Sequence, residues 1–352
     1  MMVAAMPAKP SDRAIASWLL VCAAMVFVMV ALGGITRLTE SGLSITEWQP
    51  VSGILLPFGK TQWRAAFAAY QQIPQYAAIH PGMTLHEFKV IYFWEWFHRL
   101  WGRLIGIAFL VPFLYFLLQK QISRALAPKL AFLFVLGGLQ GALGWWMVAS
   151  GLADRIEVSQ YRLAAHLIAA LVIYVAILFV ALDLLWPGRD RNFPALRLGA
   201  GALLLLSFVT IAAGAFVAGL RAGLIDNTFP LMDGHWVPPA YADLSPLWRN
   251  WFENAEAAQF DHRLLAAVTW AGSLALFIAS FRARPGRFAM GAIHALFTLT
   301  TLQAGLGIAT LLFVVPLDLA LAHQLGATLV LTASAVACHA LGRPRKSASA
   351  GL

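Results

Sequence analysis

Eight stretches of this chain are apolar enough, over enough residues, to cross a lipid bilayer, and no other feature limits its fold so tightly. They lie near 14–35, 93–118, 130–149, 163–186, 198–219, 264–281, 288–313 and 319–341. About 20 apolar residues span the hydrocarbon layer, where the backbone must satisfy its own hydrogen bonds as a helix or a closed barrel. These Leu/Ala/Val-rich runs are far longer than a barrel strand. The expectation is an all-α integral membrane protein with eight transmembrane helices. Composition agrees: 12% of residues are charged, where a soluble domain carries about a quarter.

Charge placement sets the expected orientation. With a cytoplasmic N-terminus, the inner segments hold fourteen of the 25 basic residues, including Arg13, Lys120, Arg124, Lys129, Arg282 and Arg287, against three acids. The positive-inside rule then gives N-terminus and C-terminus in, with a bacterial inner (plasma) membrane as the simplest home. The net charge of +9 is a topology signal, and no basic stripe interleaved with aromatics points to nucleic acid. Cys22 and Cys338 fall inside apolar runs, so neither a disulfide framework nor a covalent haem motif is present in the outer loops.

The chain repeats itself. Glu95-Trp-Phe-His98-Arg99 matches Gln259-Phe-Asp-His262-Arg263 at an offset of 164, and Leu139-Gln140-Gly-Ala-Leu-Gly144 matches Leu302-Gln303-Ala-Gly-Leu-Gly307 at 163. Ala165-His166-Leu167 matches Ala322-His323-Gln324 at 157, the smaller offset implying a shorter last loop. Gly33 and Gly42-Leu43 rhyme with Gly214 and Gly223-Leu224. Internal repetition of this kind marks a duplicated unit. We expect two four-helix bundles, 1–187 and 188–352, joined through the basic connection 187–197. An even number of helices per half gives both halves the same direction, related by a pseudo-twofold axis along the membrane normal. In the long outer loop 36–92, Trp63, Ala66, Phe67 and Tyr70 form the stripe of a short amphipathic helix, expected at the membrane interface as a lid.

Four histidines, His98, His166, His262 and His323, occupy repeat-related places near the starts of their spans. Facing helices of a bundle can aim two side chains into one interior, and imidazoles are axial ligands for a planar iron porphyrin. A pair in each half therefore reads as two haem-iron sites. His294 and His339 read as packing or interfacial residues, and His80, His86 and His235 as solvated loop residues. Arg99 and Arg263 follow ligand candidates, where a guanidinium fork suits haem propionates. Gln140 and Gln303 carry no assigned chemistry and read, with their glycines, as close-packing positions. The halves differ where function is expected: Glu95 matches the neutral Gln259, Tyr161-Arg162 matches Asp318-Leu319, and Trp145-Trp146 matches Ile308-Ala309. A carboxylate inside a membrane helix is costly to keep, so the N-terminal half is expected to be the reactive one.

The stretches Gly33-Gly34-Ile-Thr-Arg-Leu-Thr-Glu-Ser-Gly-Leu-Ser44, Glu95-Trp-Phe-His-Arg99, Gly144-Trp-Trp-Met-Val148, Tyr161-Arg-Leu-Ala-Ala-His166, Phe229-Pro-Leu-Met232 and Ala322-His-Gln324 resemble the haem A synthase family. The resemblance covers all eight spans and both long outer loops. It is to the α-proteobacterial and mitochondrial subtype, which lacks the loop cysteine pair, so no thiol role is expected. The resemblance implies oxidation of the C8 methyl of haem O to a formyl group, giving haem A for terminal oxidases. It implies a haem b cofactor between His262 and His323, and substrate haem O between His98 and His166 with Glu95 required for activity. Implied partners are haem O synthase, cytochrome oxidase assembly factors, an electron donor and a further copy of the chain. The residues alone leave two alternatives open. One is a bis-His di-haem b electron-transfer cytochrome, which leaves Glu95 unexplained. The other is a parallel-repeat transporter with a histidine proton relay, which predicts no haem.

Overall fold

The computed structural model describes residues 10–50, 52–153, 155–186 and 193–342. Among these residues are eight helices long and apolar enough to span a membrane: α1 (Pro10–Leu38), α2 (Leu85–Leu118), α3 (Ala127–Ala149), α4 (Gln160–Leu185), α5 (Pro194–Gly219), α6 (Ala255–Ala283), α7 (Arg287–Leu312) and α8 (Leu317–Ala340). The chain is a multi-pass membrane protein. Among the described residues, a single bridge between Met232 and His235 is the only strand-like pairing. Most of the connection 187–197 and several of the basic residues behind the orientation argument lie outside the described residues.

Local chemistry explains the helix ends. Thr84 and Glu87 form a capping box, the Thr84 backbone N–H donating to Glu87 Oε2 at 2.7 Å and the Glu87 N–H to Thr84 Oγ1 at 3.3 Å. That cap starts α2 eight residues before the apolar run begins, so His98 sits in the fourth turn and not near the start as expected. Asn254 caps α6 by accepting from the Glu256 and Ala257 N–H groups. Pro128 and Pro194 open α3 and α5, where a missing N–H has no cost.

The outward extension of α2 has a partner. The short helix Gly59–Tyr70 forms as the apolar stripe predicts, but it docks on protein: Trp63 meets Tyr92, and Phe67 and Tyr70 meet Phe88. These rings join Leu43, Ile73, Ile91 and Val158 in a separate apolar cluster.

Each half is a ring of four helices. In the first, α1 touches α2 and α4, and α3 touches α2 and α4; in the second, α5, α6, α7 and α8 follow the same pattern. The helices carrying the histidines, α2 with α4 and α6 with α8, are therefore diagonal across their rings. The last loops differ as the offsets require: 150–159 has ten residues and 313–316 has four.

Contacts between halves are reciprocal under exchange, α4 with α5 mirroring α8 with α1, and α4 meeting α8. Gln324 Nε2 donates to the Val30 carbonyl at 2.9 Å, Tyr174 Oη lies 2.8 Å from Thr332 Oγ1, and buried His339 Nε2 lies 2.9 Å from Asp183. At the other end of the interface, Arg221 is ion-paired to both Glu40 and Glu157, and Arg37 bonds Glu157 at 2.6 Å and the Ala218 carbonyl at 3.0 Å. Glu40 and Arg221, like Arg37 and Ala218, are one another's repeat mates at an offset of 181. His80 joins this cluster through Glu40 (3.3 Å) and Tyr70 Oη (2.7 Å), so it is engaged where a merely solvated residue was expected.

Candidate functional site

Close helix approach at four glycines places the four histidines. A Cβ built on Gly33 would lie 3.2 Å from His98 Cε1; on Gly144, 2.8 Å from His166 Cε1; on Gly214, 3.0 Å from His262 Cε1; on Gly307, 2.7 Å from His323 Cε1. Only a residue without Cβ lets the neighbouring helix come this near the ring. Each glycine stands five residues before the end of its helix, so the four rings occupy the same level of the two bundles.

The contacts at Nδ1 sort the rings. Gln140 Nε2 lies 3.0 Å from His166 Nδ1 and donates to the His166 carbonyl at 2.7 Å; Gln303 repeats this at His323 with 2.9 and 2.8 Å. His262 Nδ1 lies 3.1 Å from the Thr210 carbonyl, in position to donate to it. The buried His98 Nδ1 has no hydrogen-bond partner among the described residues. Gln140 and Gln303, read from sequence as packing, thus grip both backbone and ring of a ligand candidate. Their recurrence beside the glycines was the available signal.

The geometry of the second pair suits an iron porphyrin. The His262 and His323 ring centroids are 6.3 Å apart with planes at 90°. Two metal–imidazole bonds of about 2 Å each, plus the half-width of each ring, come to roughly 6 Å. At His262 an Nδ1–H given to the Thr210 carbonyl leaves the Nε2 lone pair for metal; at His323 the Gln303 amide donates towards Nδ1, so ligation through Nε2 requires the ring proton to leave Nε2. Among the described residues no group of three or more His, Cys, Asp or Glu is gathered for a metal ion; the donors come as pairs, which is what a macrocycle needs. The residues present fit the group.

Above each pair, one strap is built twice. Arg99 donates through Nη1 to the Glu47 carbonyl (3.1 Å) and through Nη2 to the Ile45 carbonyl (3.0 Å) and Glu95 Oε1 (2.7 Å). Arg263 donates to the repeat-equivalent Thr228 and Asp226 carbonyls (2.9 and 2.7 Å) and to Gln259 Oε1 (2.9 Å). Both guanidiniums therefore fasten an outer loop to the histidine-bearing helix.

Glu95 and Gln259 are each 3% exposed and hold the same place with opposite polarity. Glu95 Oε2 accepts from Ser44 Oγ (2.7 Å) and the Ile45 N–H (2.8 Å), whereas Gln259 Nε2 donates to the Ala222 and Ile225 carbonyls (2.8 and 2.6 Å). Three donors around Glu95 suit a carboxylate. The aromatic asymmetry also has contacts: Trp145 packs edge-on to Trp48 beneath Arg99, and Arg162 lies over Trp146.

Known proteins resemble this chain over most of its length. Residues 16–335 match the model of the COX15-CtaA family, described as cytochrome oxidase assembly protein. A protein of Rhodospirillum centenum named heme A synthase is 55% identical over 92% of this chain and 86% of its own. Proteins of the same name from Nitrosospira multiformis (51%; 94% of each chain) and Parvibaculum lavamentivorans (50%; 95% and 96%) are similarly close. The chain belongs to the COX15-CtaA family of cytochrome oxidase assembly proteins.

Proposed function

We propose that this chain is a haem A synthase, an oxidoreductase that converts the C8 methyl of haem O to the formyl of haem A. The observation that carries the reading is the pair of diagonal, glycine-backed histidine couples, one of them at the spacing of bis-imidazole ligation. His262 and His323 would hold a haem b cofactor, His98 and His166 the substrate haem. When bound, the cofactor supplies one-electron chemistry.

The chain's own residues do the rest. Gln140 and Gln303 fix the orientation of His166 and His323. Arg99 and Arg263 border the two haem sites and hold the outer loops down as rims that exclude water. Propionate pairing at either arginine would draw on the donors now given to loop carbonyls. Glu95, one turn before His98 on the same helix face, presents a carboxylate held at both oxygens, and is the group placed to serve the N-terminal site. The reciprocal contacts and the pairing of Glu40 with its repeat mate Arg221 support a pseudo-twofold axis between halves, since equivalent residues meet only near such an axis. We place the protein in a bacterial inner membrane, both termini cytoplasmic, receiving haem O and delivering haem A for cytochrome oxidase assembly.

The test is conversion. Membranes containing this chain and supplied with haem O should yield haem A by mass after aerobic incubation with a reductant. Persistence of haem O alone, with the protein holding haem, would favour the electron-transfer cytochrome.

A further inference from the structure

Resting on the role read for Glu95 in the N-terminal bundle, we infer that Ser44 is its positioning residue, the one neighbour whose hydroxyl can reverse when Glu95 takes up or gives back a proton.

The same turn is built in both halves. After α1 the chain bends tightly at Glu40 (φ 55°), with the Thr39 N–H on the Ile35 carbonyl and the Ser41 N–H on the Thr36 carbonyl, both at 2.9 Å. Arg221, the repeat mate of Glu40, has φ 52°. At the same offset of 181, Ser44 corresponds to Ile225. A similar backbone therefore presents a hydroxyl in one half and an alkyl group in the other. Ser44 is 1% exposed, packed against the carboxylate that breaks the repeat.

Three donors meet that carboxylate: Ser44 Oγ (2.7 Å) and the Ile45 N–H (2.8 Å) at Oε2, and Arg99 Nη2 at Oε1 (2.7 Å). A backbone N–H and a guanidinium can only donate, whereas a hydroxyl both donates and accepts. The Ile91 carbonyl lies 3.5 Å from Ser44 Oγ, placed to take its hydrogen in the reversed arrangement. Turning a methyl into a formyl removes hydrogen from that carbon, so a proton acceptor at the site has a use. In the step inferred, a proton released by that oxidation forms an O–H bond to an Oε2 lone pair and neutralises Glu95. The Ser44 hydroxyl turns to the Ile91 carbonyl and accepts from the new O–H. No covalent bond of Ser44 breaks, and the electrons of the oxidation pass through neither residue. When Glu95 gives the proton to water, the hydroxyl turns back. Without Ser44 the protonated oxygen loses the partner that accepts its hydrogen, a costly state for a buried group. The second half has no such need, because Gln259 gives its amide hydrogens to the Ala222 and Ile225 carbonyls and exchanges no proton.

Turnover of purified holoenzyme on haem O, in light and in heavy water, tests this. Ser44→Ala should lower kcat about 10- to 100-fold, the worth of a hydrogen bond to a charged group, with KM and haem content within about twofold of wild type. Proton transfer then limits the rate, so heavy water should slow Ser44→Ala more than it slows wild type. Ser44→Thr and Ser44→Val share a shape and differ in the hydroxyl. The threonine variant should turn over faster by about tenfold or more, which separates the hydrogen bond from packing. The low-spin haem b spectrum reports folding in every sample, and if both branched side chains prevent folding, Ser44→Ala and its isotope effect still decide. Near-normal kcat in Ser44→Ala, equal turnover in the threonine and valine variants, or slow turnover with an unchanged isotope effect would overturn the inference. A wild type that makes no haem A, or normal turnover in Glu95→Gln, would instead remove the reading beneath it.

Discussion

Replacing Gly307 with alanine isolates the histidine geometry in a single methyl group. The added Cβ would stand 2.7 Å from His323 Cε1 and 3.3 Å from its Nδ1, whereas carbon atoms rest at about 3.5–4.0 Å. Something must yield by roughly 1 Å. His323 cannot simply turn, because Gln303 holds both its Nδ1 and its carbonyl, and a metal–nitrogen bond of about 2 Å does not stretch by half its length. Overpacking of this kind costs about 1–3 kcal/mol, or roughly 5- to 150-fold in haem retention at 1.4 kcal/mol per tenfold. The control is Gly305→Ala on the same helix, where a Cβ meets nothing within 4 Å and helix propensity improves by about 1 kcal/mol. Haem per chain after purification, followed by the rate of transfer to an apo-globin scavenger, measures the difference. Gly305→Ala should match wild type while Gly307→Ala loses haem b. Unchanged haem content and low-spin spectrum in Gly307→Ala would refute the placement of iron between His262 and His323.

Other outcomes follow from the same contacts. Glu95→Gln should fold and keep haem b, yet lower haem A formation by about 10²–10⁴-fold, measured as product per haem-loaded enzyme; near-normal turnover would end the role given to Glu95. That variant does not recreate the second half's strap, because its amide would face the donors of Ser44 and Ile45 where Gln259 faces carbonyls, so a modest loss of thermal stability should accompany it. Arg221→Glu should weaken the joint between halves, and combining it with Glu40→Arg should recover part of the loss; the half-exposed setting keeps the effect near about 1 kcal/mol, and melting temperatures that ignore both changes would dismiss the joint. A reporter active only outside the cytoplasm should work when fused within 60–85 or 235–245 and fail near 190 or 350; an outside signal at 190 would overturn the orientation.

Sequence carried the spans and the histidines because lipid enforces both: backbone closure demands long apolar helices, and a duplicated polar residue inside them stands out. Where polar and apolar positions mix, the signal weakened. The outer turns of α2 contain His86, Glu87 and Lys89, so hydropathy starts the helix late, although Thr84-x-x-Glu87 already spelled a cap. Repetition flagged Gln140 and Gln303 without saying what they touch, since an amide on a small-residue face packs or orients equally well. The straps of Arg99 and Arg263 end on loop carbonyls, and helical periodicity says nothing about where a loop backbone turns. Glu40 and Arg221 were visible as repeat mates of opposite charge, but their pairing depends on how the halves meet.

Extraction of the non-covalent haem from purified wild-type protein, with each species identified by mass and counted per chain, tests the central claim most directly. The account predicts about one haem b per chain accompanied by haem O or haem A, with the haem b lost in His262→Ala and the haem O or A lost in His166→Ala. Two haem b per chain with neither haem O nor haem A, or a protein that carries no haem, would contradict it.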